Sequence, residues 1–112
     1  MSIQKWSDKI WVVSLNDDPM FAEDMDQLAE QALAPDRLPH IVLDFSSVEI
    51  ICSSNLSALL RLRKSASDRE AQLRLTSLTD PVWGVFLTTG LDKVFHFTHD
   101  TTTALAELQM NG

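Results

Sequence analysis

Two kinds of apolar pattern alternate along the chain. Short runs rich in β-branched and aromatic residues, from Ile3 to Trp6, Lys9 to Leu15, Ile41 to Phe45, Gln72 to Thr76 and Lys93 to Thr98, predict strands. Between them, apolar positions recur at helical spacing. In the first such segment Ala22, Met25, Leu28, Ala29, Ala32 and Leu33 repeat up to Pro35, with Asp17 or Asp18 as the cap and Pro19 in the first turn. A second runs from about Ser53 to Asp68 with Leu56, Leu59, Leu60, Leu62 and Ala66 as its stripe. A third opens on the capping acid of Asp80-Pro81 and ends at Gly90, a residue suited to a left-handed stop; Val82, Val85, Phe86 and Thr89 mark its inner face. Asp100 caps the last, which carries Ala104, Leu105 and Leu108. The turn-prone pair Ser7-Asp8 makes the first two strands a hairpin.

The predicted order is ββαβαβαβα: an α/β domain with a mixed, mostly parallel sheet and helices packed on it by right-handed crossovers. Residues 1–112 read as one domain, with no linker, repeat or low-complexity stretch. The uninterrupted run Ile41-Val42-Leu43 suits a central strand covered on both faces. Ligands of such sheets sit at the strands' carboxyl ends, and there this strand delivers the segment Ser46 to Cys52.

Composition narrows the function. No apolar run approaches the roughly 18 residues a membrane span needs, so no insertion into a bilayer is expected. The start, MSIQKWSDKIWVV, lacks the apolar core of a signal peptide, and a cytoplasmic location is expected. A formal net charge of -7 argues against nucleic acid as a partner. The charge is uneven: Asp17, Asp18, Glu23, Asp24, Asp26, Glu30 and Asp36 crowd the first helical segment, whereas Arg61, Arg63, Lys64, Arg69 and Arg74 fall in and just after the second. These clusters are solvated helix faces or, taken together, a dipolar surface that steers a charged protein partner. The single cysteine, Cys52, excludes an internal disulfide, and His40, His96 and His99 fall on different elements, so neither metal nor cofactor is expected.

The junction VEIICSSNLSALL, residues 48–60, holds three serines, an asparagine and the cysteine where one capping side chain would suffice. A phosphoryl group on Ser53, at the helix start, would gain from the free N–H groups and the helix dipole there. It would add about -1.5 to -2 charge, enough to abolish docking of a partner on this surface. Catalysis is not expected: the glycines of a nucleophile elbow are absent, and Cys52 lacks the arginine of a phosphatase loop. Cys52 reads as a small buried core residue, the alternative being a reactive thiol at a helix start.

Two motifs carry a family resemblance. The stretch Asp44-Phe45-Ser46-Ser47-Val48-Glu49-Ile50-Ile51-Cys52-Ser53-Ser54-Asn55-Leu56-Ser57 and the later Thr89-Gly90-Leu91-Asp92-Lys93-Val94-Phe95 resemble, in that order, the two signatures of the STAS domain in its single-domain form, the bacterial anti-sigma factor antagonist. The resemblance covers essentially the whole chain. It implies that Ser53 is the phosphorylated serine, with Ser54 as its hydroxyl neighbour. It also implies that the unphosphorylated protein binds an anti-sigma factor serine kinase and is silenced when that kinase modifies it. The chain departs from the pattern at Cys52, where the family has an acid, and at Asn55 and Ser57, where it has glycines. A switch without phosphorylation therefore stays open. So do the STAS subunit of a lipid-transport ABC complex, a stressosome scaffold, and a small-molecule or nucleotide sensor using the same loop. The expected partner surface comprises Cys52, Ser53, Ser54, Asn55 and Ser57. Trp83 and Leu87, four apart and off the inner face of the third helix, form a second docking or homodimer patch near the edge of the second helix.

Overall fold

A computed structural model describes residues 2–33 and 38–111. Five strands, β1 (Ser2–Lys5), β2 (Ile10–Asn16), β3 (His40–Ser47), β4 (Leu73–Thr76) and β5 (Phe97–Thr98), alternate after the first with four helices, α1 (Met20–Leu33), α2 (Ser53–Asp68), α3 (Asp80–Thr89) and α4 (Thr101–Asn111). The sheet order is β1-β2-β3-β4-β5. Only the β1–β2 pair is antiparallel. Its tight turn is closed by reciprocal backbone bonds between Ser7 and Ile10.

Each parallel step moves one strand in the same direction, so three right-handed crossovers stack α1, α2 and α3 on one face of the sheet. Strand alternation follows. Trp11, Val13, Leu15, Ile41, Leu43, Phe45, Leu73 and Leu75 point into the large core under these helices, together with Phe21, Leu28, Leu59, Val82 and Phe86. The intervening Ile10, Val12 and Val42 meet Ala104 and Leu108 of α4 on the opposite face. Covered on both sides, β3 is the central strand that its apolar run predicts. Arg74 also lies on the α4 side, where its Nε donates to Glu107 Oε1 at 3.2 Å. His96 Nε2 stands 3.2 Å from the same oxygen.

Several expectations need correction. The run from Lys93 to Thr98 is not one strand: Leu91–Lys93 forms a 3-10 turn and only Phe97–Thr98 pairs with β4. Gly90, at φ 77°, reverses the chain directly into that turn, which uses up the residues an extended strand would need. Asp80 lies in the first turn of α3 rather than capping it; the N-cap is Thr79. On α1 the inner face is Phe21, Asp24, Met25 and Leu28, while Ala22 and Ala29 are exposed. Leu60 stands outside the α2 stripe, and Thr89 outside that of α3, both exposed. The expected contributions of Ala32, Leu33 and Asp36 lie outside the described side chains.

Candidate functional site

The carboxyl ends of β2, β3 and β4 form one pole of the molecule, and side chains knit their loops together. After β2, Asp17 Oδ1 accepts the backbone N–H groups of Glu49 and Ile50 at 2.8 and 2.9 Å. From the loop after β4, the Thr79 hydroxyl donates to the carbonyl of Val48 at 2.9 Å. The β3–α2 loop is thus held from both neighbours, between the buried anchors Val48 and Ile51. It delivers Ser53 as the first residue of α2.

The start of α2 is capped without a serine. Cys52 is the N-cap, in extended conformation, and its N–H donates to Asn55 Oδ1 at 3.1 Å, the return half of a capping box. Asn55 Nδ2 donates to both carboxylate oxygens of Asp18, at 3.2 and 3.1 Å. Asp18 Oδ1 also accepts the N–H of Ala22, so a single carboxylate caps α1 and braces α2. Cys52 Sγ lies 3.5 Å from Asp18 Oδ2 and 3.1 Å from Ser54 Oγ. The serines, relieved of the capping task, face outward: Ser53, Ser54 and Ser57 are exposed.

Two expected residues differ from the reading above. Cys52 is exposed, not part of the core, because the extended N-cap conformation turns its side chain along the surface toward Asp18 and Ser54. Asn55 is 3% exposed and reaches inward, so it shapes the surface from beneath rather than lining it. The pole also presents two residues that sequence reasoning missed. Ile50 is 72% exposed although it sits among loop anchors, and Met20, at the start of α1, is 49% exposed. An isoleucine next to the polar Glu49, in a loop already anchored by Val48 and Ile51, is the signal that could have pointed to Ile50.

Trp83 and Leu87 lie elsewhere. They are partly exposed, but the Trp83 ring meets Phe97 edge to face at 5.0 Å, which sets the patch beside β5 and not at the α2 edge. Among the described residues no group of His, Cys, Asp and Glu could hold a metal ion. No described helix is long and apolar enough to cross a membrane.

Comparison with known proteins agrees with this fold. A protein described as an anti-sigma factor antagonist from Thermotoga maritima superposes with a TM-score of 0.83 at 20% identity, covering 96% of this chain and 93% of its own. An anti-sigma-factor antagonist (STAS) domain protein from Planctomyces limnophilus gives 0.78 at 17%, covering 89% and 91%. A sulfate transporter family protein from Wolinella succinogenes gives 0.75 at 22%, covering 90% and 85%. At these identities the likeness is one of fold. A search of curated proteins returned no match. Residues 12–106 match the family described as "Mlab, STAS domain", a span that takes in the sheet from β2 onward and the whole loop and helix built above. By that match this chain belongs to the STAS domain family.

Proposed function

We propose that the protein is an anti-sigma factor antagonist: a binding module, not an enzyme, whose Ser53 pole docks on an anti-sigma factor serine kinase and is released by phosphorylation of Ser53. The observation that carries this reading is the exposed Ser53 in the first turn of α2, on a loop held rigidly from two sides. Ser54 is the neighbouring acceptor, and Cys52 and Ser57 complete the polar part of the surface. Ile50 and Met20 supply apolar anchors around it, the kind of exposed side chain that dominates binding energy once desolvated. A dianion arriving among these groups would have to be stripped of water in the complex, and its energetic cost works against docking. The kinase brings the ATP, so the chain needs no cofactor of its own.

The test is direct. Incubated with a cognate serine kinase and ATP, the protein should gain one phosphate, mapped by mass spectrometry mainly to Ser53. In titration calorimetry Ser53→Asp should weaken binding of that kinase and Ser53→Ala should bind regardless of ATP. Absence of modification, with equal affinities for all three forms, refutes the switch.

The Mlab description of the matching family favours a second reading, the STAS subunit of a lipid-transport ABC complex docking on its ATPase through the same pole. Under it, calorimetry finds the ATPase bound and the serine kinase not.

A further inference from the structure

We infer that Asp17 and Asp18 are the positioning residues of the Ser53 pole: a two-carboxylate tether from the β2–α1 turn that holds the β3–α2 loop in its docking geometry. This inference rests on the reading of that pole as the partner surface.

The tether joins residues far apart in sequence. Asp17 Oδ1 accepts two successive backbone N–H groups, Glu49 and Ile50, which fixes the two peptide planes that lead up to the exposed Ile50 side chain. Without this carboxylate the loop would offer two unpaired donors and one freely turning anchor. Asp18 works through Asn55. That side chain accepts from Cys52 N and donates to Asp18, a pair of tasks that needs one carbonyl oxygen and one amide nitrogen at the same position. Glycine offers neither, and aspartate would set one carboxylate against another.

The departures from the family pattern therefore make chemical sense together. Where the pattern places an acid at 52 and a glycine at 55, this chain has Cys52 and Asn55. The acid next to the start of α2 is supplied instead by Asp18, whose Oδ2 lies 3.5 Å from Cys52 Sγ, and Asn55 fills the glycine's place to reach it. One negative charge is kept at the helix N-terminus, where the dipole favours it, but it is borne by another element.

The experiment compares Asp17→Ala and Asp18→Ala with their amide counterparts Asp17→Asn and Asp18→Asn. Amide hydrogen exchange at Glu49, Ile50 and Cys52 reads the loop, and the rate at which a colorimetric disulfide reagent modifies the sole cysteine reads the Cys52–Asp18 contact. Affinity for the serine kinase, or for the ATPase under the second reading, reads docking. Asp17→Ala should speed exchange at Glu49 and Ile50 about tenfold, a hydrogen bond's worth of protection. Asp17→Asn, which keeps an acceptor oxygen, should restore slow exchange, and affinity should follow the same order. Asp18→Ala should speed thiol modification and exchange at Cys52. Should that variant fail to fold, Asn55→Ala, which removes both the acceptor for the Cys52 N–H and the link to Asp18, should give the faster exchange at Cys52.

Unchanged exchange in the alanine variants overturns the tether. Faster exchange with undiminished affinity overturns its positioning role. If Ser53→Asp leaves affinity intact while Asp17→Ala lowers it, the tether stands and the phosphorylation switch falls.

Discussion

At the scale of single residues, the centre of the site is an amide. Asn55 is buried and spends its oxygen on Cys52 N and its nitrogen on Asp18. Asn55→Ala strands the Cys52 N–H and frees the Asp18 carboxylate. The expected cost is about 1–3 kcal/mol, seen as a melting temperature lower by roughly 4 to 24 °C in calorimetry. Ser53→Ala, by contrast, should melt like the wild type, because that hydroxyl is exposed and outside the cap. A stable Asn55→Ala protein would show that the capping box is incidental. The sequence makes the polar junction legible and singles out Ser53 at the helix start. It does not disclose that Asn55 faces in, since a cap and a surface asparagine look alike until a partner 37 residues away is known. Asp17 and Asp18 were equally visible, but only as helix-capping acids. Their bonds to Glu49, Ile50 and Asn55 depend on how closely the ends of β2 and β3 approach, which no local pattern encodes.

At the scale of elements, the α2 bounds and the Asp100 cap follow directly from sequence because their signals are local. The Asp100 carboxylate accepts the N–H of Thr103 at 2.8 Å. Hydrogen bonds from the Thr103 side chain and then its backbone, with a smaller pull from His99, hold that carboxyl below its ordinary value of 3.8. Since the folded value lies below the unfolded one, the cap contributes fully above about pH 4 and is lost as pH falls through the depressed folded value. Protection of the Thr103 amide, its exchange rate taken relative to the intrinsic rate at each pH, should therefore fall on acidification before the sheet opens. Asp100→Asn, an acceptor that does not titrate, should remove that pH dependence; an unchanged profile would show that Asp100 is not the titrating cap. The β5 region departs from its sequence pattern for a physical reason. The residues Val94, Phe95 and Phe97 have strand propensity, yet the left-handed Gly90 and the turn behind it leave room for only two paired residues. Tertiary closure overrode an intrinsic preference.

At the scale of the whole molecule, the parallel order and two-faced coverage were readable from alternation and crossover handedness, whereas the location of the Trp83 patch was not. Trp83 holds Phe97 edge to face, a contact worth about 1 kcal/mol, so Trp83→Ala should lower the melting temperature by roughly 4 to 8 °C whatever its part in association. Leu87, half exposed, is the cleaner probe. If the patch docks a partner or a second copy, Leu87→Ala should weaken association in sedimentation or titration experiments without altering melting. Equal association in both proteins would reduce the pair to ordinary surface. The lateral margins of the sheet carry a different consequence. One margin is a strand of two residues with an indole set against it, and the other is four residues long and bears Lys5, held over the Trp11 ring at 5.2 Å. Neither offers the long, flat ribbon of unpaired amides on which a foreign strand could be templated. Complexes of this protein should therefore grow by side-chain recognition at its surface and not by lengthening its sheet, and at high concentration it should resist the fibrous association to which bare sheet edges lead.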